Sequence, residues 1–435
     1  MIHNTFIASF IILVGGSITA SGQQAVTPPA PQTITFQDAL ALARKNSVDF
    51  HAALTDQALA REDKVQARAA LLPSLTYNNQ AIDTQARDKS EGRFISSNGV
   101  HEYVSQGNAH ESIGLSDLAD YRRAAALASV ARLKAEIAAR GLTVTVVQTY
   151  YGLIASQRKY ASEQQAAAEA ERFLEISQKL EKGGEVAHSD VIKATLQTQD
   201  RRRDLREAQL AMEKARLDLA VLLFQDFNEN FTVVDDLDLA PPLVSFDDFE
   251  RAARKNNLEV RMSGASLKAA QFAVASARFG YLPSLSLDTF YGIDAPQFAT
   301  RSDGVSNLGY AAVATLNIPV WNWGATHSKV VQATLKRQQA ERELSLAQRK
   351  LLASLRTAYS EADAARSELE LLKSSSELAA ESQRLTILRY QSGEASVLDV
   401  VDSQNTLTQA RIGYHDGIVR YRVALANLQT LTGTM

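Results

Sequence analysis

The sequence predicts a mainly α-helical chain with a smaller β part, built twice from one helix–strand–strand–helical-hairpin unit. Three observations carry this prediction. The 435 residues hold only nine prolines, and none lies between Pro73 and Pro241 or after Pro319. Proline costs about 3 kcal/mol inside a helix, so both stretches admit very long helices. The chain also repeats itself in register. Thr35-Phe36 returns as Ser245-Phe246, Ala43-Arg44-Lys45-Asn46 as Ala253-Arg254-Lys255-Asn256, and Leu72-Pro73-Ser74-Leu75 as Leu282-Pro283-Ser284-Leu285, all displaced by one interval. Gly184-Glu185 and Asp190-Val191 return as Gly393-Glu394 and Asp399-Val400, one residue short of that interval. Chance does not hold a register over so long a span. Between the helical stretches, Tyr310, Ala312, Ala314, Leu316, Ile318 and Val320 are apolar at every other place, the pattern of a strand with one dry and one wet face.

The elements follow in order. Phe6 to Gly16 is an apolar core followed by small residues, too short to span a bilayer. It reads as an export signal over 1–20, followed by a Pro-rich flexible leader over 21–34. Residues 35–240 form the first repeat and 241–435 the second, with the boundary near Pro241-Pro242. Each repeat opens with a helix, Asp38 to Leu71 and then Phe246 to Leu282, ended by Leu-Pro because the residue before proline avoids helical angles. Two strands follow. In the second copy they are Leu285 to Ile293 and Tyr310 to Val320. The first copy is more polar, and Arg87 to His110 reads as an external loop.

A long helix then spans Asp120 to Glu181, about 90 Å at 1.5 Å per residue. Its counterpart carries Leu351, Leu355, Ala358, Ala362, Ala365, Leu369, Leu372, Ser376 and Ala379 in alternating steps of four and three, a coiled-coil seam whose alanines permit close approach. Leu407, Arg411, Tyr414, Ile418, Tyr421, Leu425 and Leu428 continue the steps in the last helix. Gly183-Gly184 and Gly393 interrupt the pattern, so each repeat ends in a helix–tight turn–helix hairpin.

Composition excludes several classes. There is no cysteine, which removes disulfide scaffolds, thiol catalysis and thiolate-held metals together, and with them an acylated-cysteine anchor. A net charge of −3 argues against a general nucleic-acid binder. No phosphate loop, nucleophile elbow or HExxH is present, so no enzyme and no cofactor is expected. His101 and His110 fall in one segment, too few for a metal centre by themselves.

Export, duplication, two strands between long helices and a glycine-closed heptad hairpin together resemble the TolC family of outer-membrane efflux and export channels. The most specific segment is Tyr390-Gln391-Ser392-Gly393-Glu394-Ala395-Ser396-Val397-Leu398-Asp399-Val400-Val401-Asp402, followed by Ser403-Gln404-Asn405-Thr406-Leu407. Leu316-Asn317-Ile318-Pro319-Val320-Trp321-Asn322-Trp323-Gly324 resembles the family's exit from strand to long helix. The resemblance spans about residues 35 to 432 and implies a homotrimer. Four strands are too few for a membrane barrel, which starts at 8. Three chains would supply a 12-stranded transmembrane β-barrel, continued by a coiled-coil α-barrel across the periplasm. It further implies a channel in the outer membrane, in contact with its lipid, that meets a periplasmic adaptor and an inner-membrane transporter at its hairpin tips. The competing reading is a soluble periplasmic coiled-coil scaffold without a pore.

The same resemblance nominates site residues. Asp399 and Asp402, three apart and so on one helix face, would stack as carboxylate rings at the tunnel tip. The local alternative is that Ser396 and Asp399 merely form a capping box, which accounts for Asp399 and not Asp402. Tyr390 matches the family's gate tyrosine, with Ser189-Asp190 as its partner on the first hairpin and a Tyr390–Asp190 hydrogen bond as the expected latch. The alternative is a plain seam residue. Ala395 stands where some members carry a gate arginine. Gly183, Gly184, Glu185, Gly393 and Glu394 are the expected adaptor contacts, although tight turns need glycine in any case. Trp321 and Trp323 suit an aromatic girdle at the membrane interface, against simple packing.

Overall fold

The computed structural model describes residues 32–83, 101–237, 241–302 and 304–433. The expected export signal, most of the leader and residues 87–100 of the expected loop lie outside the described residues. The first series of elements is β1 (Gln32–Ile34), α1 (Phe36–Asn46), α2 (Val48–Ala69), β2 (Ser74–Asp83), β3 (His101–Ile113), α3 (Leu115–Lys182), α4 (His188–Leu223) and β4 (Phe231–Val233). The second is α5 (Phe246–Asn256), α6 (Leu258–Phe279), β5 (Ser284–Ala295), a short hairpin β6 (Arg301–Ser302) and β7 (Val305–Ser306), β8 (Leu308–Asn317), α7 (Ala325–Gln391) and α8 (Val397–Thr432).

The two long helices, α3 with 68 residues and α7 with 67, each extend about 100 Å. Below the strands the packing order is α2–α3–α6–α7; toward the far end it becomes α4–α3–α8–α7. The seam residues of α7 behave as their spacing requires: Leu351, Leu355, Ala362, Ala365 and Ala379 are buried, and Ala358, Leu369, Leu372 and Ser376 are half-buried.

Four strands form one antiparallel sheet in the order β2-β3-β5-β8. On one face Leu285, Leu287, Tyr291 and Ile293 stand opposite Leu316, Ala314, Tyr310 and Leu308. Ile113, Ala109 and Gly107 of β3 and Leu75 and Tyr77 of β2 continue that face. The other face presents Ser286 and Asp288 on β5, Gln106, Asn108 and His110 on β3, and Thr76, Asn78 and Gln80 on β2. His110 Nδ1 lies 2.7 Å from Asp288 Oδ1 across this polar face. Every residue of β8 is exposed, and so is nearly every residue of β2. Among the described residues neither edge strand has a second partner. No described helix is long and apolar enough to cross a membrane.

Several expectations change. The opening helix of each repeat is two helices, broken at Ser47 and Asn257. Each of these residues ends one helix and caps the next, with its side chain accepting from the N–H of Phe50 or Val260. No proline or glycine marks the break. The expected loop over Arg87 to His110 is overturned for its last ten residues, which belong to β3 and pair with both β2 and β5. The long helix of the first repeat starts at Leu115 rather than Asp120. Gln32–Ile34, expected in the leader, form a strand that pairs parallel with β4.

That small parallel pair closes a belt around the helices. Ile34 is fully buried with Tyr150, Leu219 and Leu223, and the Tyr150 hydroxyl donates to the carbonyls of Ile34 at 3.1 Å and Val234 at 2.9 Å. The Tyr150 hydroxyl is a poor acid here, because burial and the nearby Asp236 both disfavour its charged form. Arg422 of α8 donates to the carbonyls of Asp236 and Leu237 and to the Tyr151 hydroxyl. It therefore ties the second repeat to the connection that ends the first.

Candidate gate and channel wall

Both hairpin turns close by the same device. The helix ends in a residue of left-handed conformation, Gly184 at φ 76° and Gly393 at φ 79°. The next N–H then reaches back five residues: Glu185 to the Leu180 carbonyl and Glu394 to the Arg389 carbonyl, at 2.9 and 2.8 Å. This is the Schellman arrangement, which satisfies carbonyls orphaned at a helix end. Gly183, Gly184, Glu185, Gly393 and Glu394 are all exposed, so both tips present themselves to solvent. Arg389 donates to the Glu394 carbonyl at 3.2 Å and stiffens the second tip.

Just inside the tips, a cluster of Phe173, Ala194, Tyr390, Val397 and Val400 joins the α3–α4 hairpin to the α7–α8 hairpin, with Ala395 packed against it. Tyr390 is 3% exposed and its ring centroid lies 5.0 Å from that of Phe173. Its hydroxyl does not meet Asp190. It is bonded at 3.0 Å to Ser177, which is fully buried on α3. Asp190 instead pairs with Lys193 at 3.2 Å, and Ser189 is exposed beside it. The expected Tyr390–Asp190 latch is thus replaced by Tyr390–Ser177. The reason is axial: the tyrosine points across to the body of α3, whereas Asp190 sits in the first turn of α4.

Asp399 caps its own helix. It accepts from the Ser396 N–H and hydroxyl, both at 2.8 Å, and its own N–H donates to Ser396 Oγ. The Ser396 backbone N–H, then its hydroxyl, hold the Asp399 carboxyl below its ordinary range. Asp402, one turn on, is exposed, as are Leu398 and Asp399. The two carboxylates therefore share an open face at the tip.

Farther from the tips the hairpins are joined by polar bonds. Gln383 of α7 donates to Glu169 of α3 at 2.6 Å, and Gln197 of α4 donates to Asn405 of α8 at 3.1 Å. Arg201, buried on α4, also donates to Asn405 and lies 3.8 Å from the equally buried Glu163 of α3. Burial pushes the Glu163 carboxyl up, and Arg201 opposes that only in part. Sequence reasoning missed Ser177, Glu163 and Arg201. Nothing in the local pattern distinguishes them from other small or charged residues on long helices.

At the other end of the molecule, Trp321 and Trp323 follow β8 and are 75% and 89% exposed, edge to face with centroids 5.9 Å apart. Trp323 holds a positive φ of 54°. A bulky residue held there is uncommon.

A sheet largely apolar on one face and polar on the other, with two open edges among the described residues and helices about 100 Å long running from its base, is an architecture shared with solved outer-membrane channels. The family follows from comparison. Residues 251–434 match the model of the outer membrane efflux protein family. The solved structure of the Campylobacter jejuni CmeC outer membrane channel is similar over 92% of this chain and 85% of its own, with a TM-score of 0.78 at 19% identity. VceC from Vibrio cholerae matches with a TM-score of 0.80 at 16% identity, covering 92% and 96%. The open state of the Neisseria gonorrhoeae MtrE channel gives 0.76 at 18%, covering 92% and 88%. No curated protein matches the chain by sequence. The chain thus matches the outer membrane efflux protein family model over its second repeat and shares the fold of these solved channels over nearly its whole length.

Proposed function

We propose that three copies of this chain form a channel-tunnel that carries small molecules or exported substrates across the periplasm and outer membrane, gated at the hairpin tips. One observation carries the reading: a four-stranded sheet that leaves both edges unpaired and an apolar face uncovered. An open edge is a template for another strand, and backbone groups inside a bilayer must be satisfied by closure. Three sheets joined edge to edge meet both demands. The helical part agrees. α4 leaves Leu196, Leu210 and Leu217 exposed at its edge, and α7 leaves Leu371, Leu378 and Leu385 exposed at heptad spacing on the opposite edge. A water-soluble scaffold would have no use for the apolar sheet face.

In this trimer Asp399 and Asp402 would form two stacked carboxylate rings, which attract cations and repel anions. The Tyr390–Ser177 bond would hold the inner hairpin against the outer one. Gly183, Gly184, Glu185, Gly393 and Glu394 would meet a periplasmic adaptor that couples the channel to an inner-membrane transporter. Ser189 and Asp190 flank that contact, and Trp321 and Trp323 would sit at the membrane interface.

The test is single-channel conductance of the purified protein in a planar bilayer, beside Asp399→Ala/Asp402→Ala. Small cation-selective pores whose selectivity falls in the double variant are expected. A folded protein that inserts no pores would remove the channel reading, and unchanged selectivity would remove the rings.

A further inference from the structure

Three exposed arginines, Arg68, Arg122 and Arg278, stand just below the sheet, and the helical period turns each toward the flank that carries α1 and α5. In α6, Arg278 follows Val260 by eighteen residues, which is five turns, so both leave the same side of the helix. Val260 packs against a cluster that Phe249 and Ala253 of α5 share with Leu351 and Leu355 of α7. In α2, Arg68 follows Phe50 by the same eighteen residues, and Phe50 packs against the cluster that holds α1. In α3, Arg122 precedes Arg140 by eighteen, and Arg140 lines the cleft beneath Phe36 and Leu40 of α1. Were α1 and α5 inside the trimer they would obstruct the tunnel. That flank is therefore the outer one, and the three arginines face away from the conduit.

Their level along the molecule is equally consistent. Arg68 and Arg278 lie in the last turns of α2 and α6, directly before the strands, and Arg122 lies in the second turn of α3, directly after one. All three are exposed, and among the described residues no carboxylate lies within ion-pair distance of any of them. Apolar groups crowd the same level: Leu72, Tyr281, Leu282, Trp321 and Trp323 are exposed there. A groove of about 300 Å³ between α6 and α7 brings Arg278 to the same wall as Phe279, Val274 and Arg337.

We infer that these arginines form a basic collar for anionic glycerophospholipid headgroups of the periplasmic leaflet. The phosphate would lie on Arg278, Arg68 and Arg122, and the acyl chains would run up the apolar sheet face past Tyr281 and Leu282. The chemistry matches at both ends. Unpaired guanidinium groups take phosphate oxygens in a fork, long basic side chains reach the interface from a helix end, and aromatic residues mark its depth. This reading rests on the outer-membrane channel above, which supplies the bilayer.

The two tryptophans are the only ones in the chain and sit at the collar, so they report on it. The full-length protein is reconstituted in vesicles that mix phosphatidylcholine with brominated phosphatidylglycerol, and separately with brominated phosphatidylcholine. Tryptophan quenching then gives the relative affinity of the two lipids at the rim. A cation near an anionic surface contributes about fivefold, so wild type should prefer phosphatidylglycerol by tenfold or more. Arg68→Gln/Arg122→Gln/Arg278→Gln should fall close to unity, and Arg342→Gln/Arg349→Gln, farther along α7, should keep the preference. Arg278→Gln alone should lose part of it, which keeps the test open if the triple variant misfolds. Equal quenching by both lipids in wild type, or a preference unchanged in the variants, would overturn the collar. A preference abolished by inorganic phosphate, but not by chloride at equal ionic strength, would make it a free-anion site instead. No quenching by either lipid would overturn the membrane reading itself.

Discussion

At the residue scale the two hairpins meet near the tip through one buried hydroxyl pair, which the proposed gate would use to stay closed. Tyr390 and Ser177 sit on helices of different hairpins, and each satisfies the other in a site closed to water. Losing one partner leaves the other unpaired, at about 1–3 kcal/mol. Tyr390→Phe and Ser177→Ala should each raise single-channel conductance, and the double variant should raise it no further than either one. Additive effects would mean that the two hydroxyls act separately. Tyr390 could be read from the sequence as a site residue because it lies in a motif of high specificity. Ser177 could not, because its role arises only where α3 and α7 cross, more than two hundred residues apart in the chain.

At the scale of elements, a buried charge pair inside the first hairpin, tied to the second through Asn405, follows from no sequence period. Glu163 and Arg201 are each about 6% exposed, and breaking such a pair from one side costs about 3–5 kcal/mol. Arg201→Met should lower the thermal midpoint clearly, whereas Glu163→Met/Arg201→Met should recover most of the loss. No recovery would mean that Arg201 acts through Asn405 rather than Glu163. The sign of the pH effect follows from the raised Glu163 carboxyl. A carboxyl whose folded pKa is raised adds stability that is full below its unfolded value and is lost as pH rises through the folded one. Wild type should therefore gain on Glu163→Gln as pH falls toward the ordinary value of 4.5, visible as a melting-midpoint difference that widens in favour of wild type. A constant difference between the curves would exclude titration of this group. The helix breaks at Ser47 and Asn257 belong to this scale as well. Both residues are good N-caps, so a signal was present, but the apolar pattern ran on through it. The strand β3 was hidden because its alternation is weak: Glu111 and Ser105 stand on the apolar side opposite Leu287 and Ile293, and Gly107 and Ala109 there are small. Its register comes from β2 and β5.

At the scale of the whole molecule, the proposed trimer accounts for the apolar surfaces that one chain leaves open. The chain's exposed strand edges, uncovered apolar sheet face and two leucine-lined helix edges are surfaces that a second and third copy would cover. Leu378→Glu/Leu385→Glu places two charges on the α7 edge, where α4 of a neighbour would pack. Light scattering on the detergent-solubilised protein, corrected for detergent, should show the mass of three chains for wild type and of one for the variant. A trimer that persists in the variant would move the contact elsewhere on the chain.

What the sequence determined by itself was the sum of its local rules. Proline spacing left room for the long helices, the four-and-three steps set which side of α7 is buried, and the two glycine turns set where each hairpin folds back. The repeat set that this happens twice. Tertiary structure alone settled every pairing between distant segments: Ser177 rather than Asp190 for Tyr390, Glu163 with Arg201, and β3 between β2 and β5. The physical reason is one of range. A period of two or 3.6 residues tells a side chain which way to point from its own element, but which group waits there depends on how elements far apart in the chain are stacked.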